Sequence, residues 1–479
     1  MRPILVLGTS SHSGKSTIVT ALCKVFRDRG YDVAPFKAQN MSNNSWVTKK
    51  GGEIGISQAV QAWAADKEPK VEMNPVLLKP KGDGVSQVIL FGEPYGDKEA
   101  TEYYEEFNKF RKKSKDAYEE LASENDVLVC EGAGGAAEIN LKDRDLSNIE
   151  TARFTDAKII LVTDIERGGA FASIYGTVEL IPSDVKEKLE GIIINKFRGT
   201  KEVLEPGIKE IEELTGVPVL GVMPHTDLQL PSEDSLSIDD KEKDNSSSEI
   251  TIKIIRLPHI SNFTDFEPLE MEKEVSIEYI DMKEKLGSPD LLILPGTKNT
   301  VDDLKALKRS RLYDDIMEFD GPIMGVCGGY QMLGEKLIDR GNESTSDSEE
   351  EIDGFGLLPV VTYFDRTNKK RTEQVKLEVT GDKSLLSDIE GKIEGYEIHM
   401  GKTVTKEDEE IEKAFEHDGV IHKDVIGTYL HGLFMNDEFR NKFIKSLKGE
   451  TKDIKKSKNK YEKLKEIFEK NIEFSQLLK

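Results

Sequence analysis

The chain has 479 residues, too many for one compact core, so two or three domains are expected. A formal charge of −23, from 67 basic and 90 acidic residues, excludes the basic surface that nucleic acid or an anionic membrane would need. Three cysteines (Cys23, Cys130, Cys327) are too few for a disulfide framework, no apolar run reaches membrane-spanning length, and the first residues do not read as a secretory leader, so a reducing cytoplasm is expected.

In chain order, Ile4-Leu5-Val6-Leu7 reads as a buried parallel strand. It runs into Gly8-Thr9-Ser10-Ser11-His12-Ser13-Gly14-Lys15-Ser16-Thr17 and then a helical pattern. Strand, glycine loop and helix in that order predict a phosphate-binding loop whose backbone N–H groups face an anion. Lys15 is expected to reach the terminal phosphates of ATP, and the Ser16 hydroxyl to bind Mg²⁺. Five residues separate Gly8 from Gly14, one more than the common pattern, and this longer loop resembles dethiobiotin synthetase and its relatives, which activate carboxylates with ATP. Lys37 opens an amide-dense loop, Gln39-Asn40-Met41-Ser42-Asn43-Asn44, and could stabilise a transferring phosphoryl group. Residues 97–125 form an amphipathic stretch whose aromatics, Tyr103, Tyr104, Phe107, Phe110 and Tyr118, read as core packing on a helical face.

Residues 127–130, 159–163 and 191–195 read as further parallel strands. Glu131 and Asp164 close the first two of these, and carboxylates at the C-terminal ends of parallel strands point into the ligand crevice. Both are candidate Mg²⁺ ligands, Glu131 the better one, with helix capping as the other reading. Residues 232–248 are polar and acidic and suit a linker.

A second α/β pattern follows, with strands over 252–257, 291–294 and 322–326. Gly325-Val326-Cys327-Gly328-Gly329 is a nucleophile elbow with cysteine as nucleophile. A helix N-terminus lowers a thiol pKa, the Gly328 N–H can donate to an oxyanion, and a second donor is expected from the turn at Gly296. Gln331, four residues on, falls in the same glutamine site. The base is His431 or His399; spacing favours His431. The usual class I glutaminase pattern has Glu two residues after the histidine, where this chain has Leu433, so the third member stays unassigned. Residues 342–351 read as an acidic loop and 446–479 as a charged helical tail. The expected domains are therefore 1–231, an acidic linker 232–250, 251–445, and the tail.

Gly51-Gly52-Glu53-Ile54-Gly55, Met73-Asn74-Pro75, Glu131-Gly132-Ala133-Gly134, Asn195-Lys196-Phe197-Arg198-Gly199, Ser261-Asn262-Phe263-Thr264-Asp265-Phe266, Pro295-Gly296-Thr297-Lys298-Asn299-Thr300 and Thr428-Tyr429-Leu430-His431-Gly432 together resemble the cobyric acid synthase family. The resemblance implies a phosphate-loop domain of the dethiobiotin synthetase type followed by a class I glutaminase domain. It implies amidation of the b, d, e and g carboxylates of adenosylcobyrinic acid a,c-diamide, with L-glutamine as nitrogen donor and ATP as activator. It also raises His431 over His399. The chain departs from the family at Ile56-Ser57 and at Gly135-Ala136, both near the expected corrinoid crevice between the domains. The alternatives are the sibling a,c-diamide synthase and, from another class, a partition-type nucleotide-switch ATPase, which has no need of Cys327.

Overall fold

The computed structural model describes residues 1–82, 84–141, 143–226, 228, 230–231, 238, 248–341, 343, 349–365, 369–387, 389–406, 411–448 and 460–475. Most of the expected acidic linker lies outside these residues.

The α/β class is as expected, and there are two parallel sheets. The first contains β1 (Ile4–Gly8), β2 (Val33–Phe36), β3 (Val127–Glu131), β4 (Lys158–Asp164), β5 (Leu189–Phe197) and β6 (Val219–Pro224) in the order β6-β5-β4-β1-β3-β2. All five pairings are parallel. Ile4, Leu5 and Val6 are wholly buried because both faces of the sheet are covered, which is why the run is apolar without alternation. β1 is central. Its register with β3 sets Val6 beside Glu131, and its register with β4 sets Gly8 beside Val162, so the glycine loop opens at the carboxyl edge of the sheet. Helix α1 (Lys15–Asp28) leaves that loop.

The aromatic stripe is split between Ala100–Glu105 and α2 (Phe107–Glu124). Tyr103, Phe107, Phe110 and Tyr118 are buried as expected, whereas Tyr104 stands in a cavity wall.

The second sheet contains β7 (Ile250–Ile255), β8 (Val275–Ile280), β9 (Leu291–Leu294), β10 (Ile323–Val326), β11 (Glu412–Lys413), β12 (Val420–His422) and β13 (Val425–Thr428). The order is β8-β7-β9-β10-β13-β12-β11, parallel as far as β13 and antiparallel beyond it. Helix α3 (Gly328–Leu333) starts directly after β10.

Two hairpins join the halves. Ser45–Val47 pairs with Glu53–Gly55, and Arg371–Glu378 pairs with Lys392–His399. Val47, Tyr396 and Ile398 share an apolar cluster with Trp46, and the Tyr396 hydroxyl donates to the Ser45 carbonyl at 3.1 Å.

Two expectations need correction. Residues 349–351 of the expected acidic loop are not loop; they belong to strand Glu349–Asp353, which pairs with Lys336–Arg340. The tail does not begin at residue 446. Ser446 lies inside α4 (Asp437–Lys448), and a separate helix α5 (Lys460–Asn471) returns to the first domain. There Leu464, Phe468, Ile472 and Phe474 join the core beneath α1. Lys465 pairs with Asp28 at 2.6 Å, and Glu469 with Arg29 at 3.2 Å.

Candidate active sites

The glycine loop is held by backbone geometry. Thr9 N–H donates to Val162 carbonyl at 3.0 Å, and the Thr9 and Thr163 hydroxyls bond at 3.0 Å. Gly14 has φ 97°, and a side chain there would run into the Asn195 amide, which donates to the Ser13 carbonyl at 3.0 Å. Ser13 itself is buried. Lys15 folds across the loop, donating to the Ser10 carbonyl at 3.0 Å and the Gly134 carbonyl at 2.8 Å.

Glu131 is the hub behind the loop. It is 1% exposed, and its Oε1 accepts from the Ser16 hydroxyl at 2.9 Å and from Lys37 Nζ at 2.8 Å. Its Oε2 accepts from Gln61 in helix Ile56–Ala64, a partner that sequence reasoning did not find. Removing one partner of so buried a pair costs about 3–5 kcal/mol, because a charge is left without compensation. Ser16, Thr17, Lys37 and Glu131 all line a cavity of about 730 Å³ in front of the loop. One hydroxyl and one carboxylate on neighbouring elements are the hard oxygen donors that suit Mg²⁺ when phosphate oxygens complete its shell.

Asp164 does not join them. Its Oδ1 caps the following turn, accepting from the Glu166 N–H at 2.8 Å, and its Oδ2 accepts from Lys196 at 2.9 Å. Lys196 lines the cavity and Asp164 does not, and since the next helix begins at Ala170 with Gly169 as its cap, Asp164 closes a turn rather than capping a helix. The cavity continues past the loop to Tyr104, Glu138, Arg144 and Asp145. Burial pushes Asp145 up to about 6, against hydrogen bonds from Asn148. Every residue lining this cavity precedes residue 232, so the cavity lies within the expected first domain.

The second site is built around Cys327. This residue has φ 52° and ψ −107°, the sharp turn that lifts a nucleophile from strand to helix. Gly329 must be glycine, since a side chain would collide with the Leu294 backbone. Cys327 and His431 line one small cavity, where the Cys327 thiol donates to the Ile398 carbonyl at 3.5 Å and acts electrostatically on His431. His431 Nδ1 donates to Asp265 Oδ2 at 2.6 Å, and Asp265 Oδ1 accepts from the Gly432 N–H at 2.9 Å. Asp265 lies in the short helix Phe263–Phe266, upstream of both partners, and supplies the third member that Leu433 could not. Burial opposes the imidazolium, but the Asp265 carboxylate and then the Cys327 thiol hold the His431 pKa up at about 10.

His399 stacks on Tyr429 with ring centroids 3.7 Å apart, and its Nδ1 faces the Gly401 carbonyl at 2.8 Å. It borders the cavity without bonding Cys327. Gln331 is fixed at both ends: its Oε1 accepts from Thr300, and its Nε2 donates to the Tyr429 hydroxyl at 3.0 Å. On the turn after β9, Thr297 and Lys298 form the cavity wall. Gly296 sits just behind, beside the His431 ring, and Gly328 abuts Thr297.

The amide-dense segment links the sites. Gln39, Asn40 and Met41 line the large cavity. A few residues on, Asn44 Oδ1 accepts from the Phe263 N–H at 3.1 Å, and the Ser45 N–H donates to Asn262 Oδ1 at 2.9 Å. Asn262 Nδ2 lies 3.5 Å from both His431 ring nitrogens.

A phosphate-loop domain coupled to a cysteine-based amide hydrolase defines a glutamine amidotransferase of the ATP-dependent ligase class. Comparison with known families agrees: residues 4–237 match the CobQ/CobB/MinD/ParA nucleotide binding domain, and residues 251–439 match the CobB/CobQ-like glutamine amidotransferase domain. A probable cobyric acid synthase of Methanosarcina mazei is 52% identical, the alignment covering 99% of this chain and 98% of that protein. One from Methanosarcina acetivorans is 53% identical with the same coverage, and one from Halobacterium salinarum is 47% identical over 92% of this chain and 89% of its own. The chain belongs to the cobyric acid synthase family. Among the described residues no helix is long and apolar enough to cross a membrane.

Proposed function

We propose that this chain amidates the b, d, e and g carboxylates of adenosylcobyrinic acid a,c-diamide, using glutamine and one ATP per amide. The observation that carries this reading is the pairing of two complete sites in one chain, with residues 39–45 running from one to the other.

A carboxylate is a poor acyl donor because oxide would have to leave. Transfer of the γ-phosphoryl group makes an acyl phosphate, and ammonia then displaces phosphate. Lys15 and the loop N–H groups hold the phosphates, and Lys37 lies where charge develops during transfer. Ser16 and Glu131 would hold Mg²⁺, which supplies charge neutralisation between phosphate oxygens. Glu131 is then shared with Lys37 and Gln61, which fix its orientation.

At the second site Cys327 gives its proton to His431 and attacks the glutamine carboxamide. Asp265 keeps the imidazole oriented and favours its charged form. Collapse of the adduct releases ammonia, which takes the proton back from His431, and water hydrolyses the thioester. Asn262, Ser45 and Asn44 form a bonded contact between the glutaminase site and the segment whose Asn40 lines the large cavity, and this reading sends ammonia along that contact.

Tyr104, Glu138 and Arg144 extend the large cavity past the loop, and this reading gives that extension to the corrinoid. Incubating the chain with ATP, Mg²⁺, glutamine and either the a,c-diamide or the unamidated acid, followed by mass analysis, tests the proposal. Four added amides on the a,c-diamide is the expected result. Amidation of the unamidated acid alone would move the assignment to the sibling synthase.

A further inference from the structure

The Cys327 cavity carries more charge than hydrolysis of a neutral carboxamide needs. Its wall includes three lysines, Lys79, Lys298 and Lys370, and among the described residues one carboxylate, Glu343. Two of the lysines are already partnered. Glu53, buried outside the wall, bonds both Lys79 and Lys370, whose side chains are 4% and 6% exposed. Ser45 also bonds Glu53, at 2.6 Å, and receives a bond from Lys79 at 2.7 Å. These bonds fix the two ammonium groups in place with one net positive charge between them.

Lys298 differs. Among the described residues its ammonium has no carboxylate within 4 Å, and the charges acting on it are Lys370, Lys79, Glu343 and Lys81. Glu343 accepts from the Thr300 N–H at 2.9 Å, which sets it at the start of the helix Thr300–Lys308. The cavity therefore presents an excess of positive charge and one negative group beside the nucleophile. A neutral amide gains little from such a wall, whereas a zwitterion meets both signs.

We propose that this wall recognises the amino-acid end of glutamine, with Lys298, supported by Lys79 and Lys370, taking the α-carboxylate and Glu343 taking the α-ammonium. The assignment rests on Cys327 as the glutaminase nucleophile, and it leaves the carboxamide free to lie between Cys327 and His431. Burial, and then repulsion by Lys370 and Lys79, hold the Lys298 pKa down at about 7, so an arriving carboxylate relieves a crowded cationic cluster. Lys79 and Glu53 belong to the phosphate-loop domain, whereas Lys298, Lys370 and Glu343 belong to the glutaminase domain. The glutamine pocket is thus complete only when the two domains are docked.

The test is steady-state hydrolysis by the full chain of L-glutamine, of its α-amide, which lacks the carboxylate charge, and of glutaramate, which lacks the α-amino group. The wild type should prefer glutamine over both analogues. Lys298→Met should raise the KM for glutamine about 10–100-fold with kcat kept within a few-fold, and should erase the preference over the α-amide, because the loss is a charge-assisted contact made in the ground state. Lys298→Arg should restore part of that preference. Glu343→Gln should erase the preference over glutaramate and leave that over the α-amide. Thermal melting of each variant separates misfolding from altered recognition. Equal losses on glutamine and the α-amide in folded Lys298→Met would overturn the assignment. A wild type that hydrolyses no glutamine would defeat the glutaminase reading itself, and this one with it.

Discussion

The two halves reach chemistry by different routes. In the first, the phosphate site is one contiguous segment, residues 8–17, with a single carboxylate added from β3. Its donors are mostly backbone N–H groups, so strand, loop and helix in order are nearly sufficient. In the second, Asp265, Cys327 and His431 come from three segments spread over 167 residues, and only the sheet order brings them together. The difference shows that backbone-built sites survive as local sequence signals, whereas side-chain constellations depend on tertiary assembly.

The largest effect expected from breaking one half alone is Cys327→Ala. Glutamine-dependent synthesis should fall by at least ~10⁴-fold while synthesis from high ammonia is retained, measured as amide formed from each nitrogen source. If glutaminase activity persists, the elbow is misassigned. Lys15→Ala makes the complementary cut. Synthesis from both nitrogen sources should fall by about 10²–10³-fold or more, since carboxylate activation serves both. Ammonia-dependent turnover at the wild-type rate would sink the phosphate-loop reading.

Asp265→Asn sharpens the comparison, because it leaves the nucleophile in place and changes only what holds the base. Glutaminase kcat should drop by about 10²–10³-fold without loss of ammonia-dependent synthesis. The same pair gives a pH signature. The folded His431 pKa of about 10 lies above its ordinary 6.5. The stabilisation is therefore fully present below about pH 6.5, declines as pH rises, and is gone above about 10. Denaturant titrations across that window should show a decline in the wild type that is absent in His431→Gln; identical profiles would count against the buried ion pair.

Phe468→Ala tests how the C-terminal helix α5 holds to the first domain. A cavity beneath α1 should cost about 3–5 kcal/mol and lower the melting temperature, with kcat least affected of the set. An unchanged melt would mean that α5 is not part of the first domain's core.

Several features of the site were legible in the residues alone. Lys15, Ser16 and Glu131 fall where the strand–loop–helix pattern puts them, and Cys327 between glycines could hardly be an ordinary core thiol. Other features were not. Asp164 and Glu131 look alike at strand ends, but the β4 carboxylate turns back to cap Glu166 and meet Lys196, because the chain bends there. Asp265 was present in a recognised motif but carried no role, since an aspartate's partner cannot be read from its neighbours. Gln61 sits on the buried face of a short helix and reads as ordinary polar sequence.

Local periodicity, turn chemistry and contiguous motifs made the central strands of both sheets, the glycine loop, the elbow and the family resemblance legible in the residues, but not the edge strands or the sheet order. That Asp265 bonds His431, that Lys79 reaches the Cys327 cavity, and that the C-terminal helix packs under α1 emerged only in the folded chain. Each of these joins residues from distant segments, and such contacts are set by sheet order and burial, which no short stretch of chain encodes.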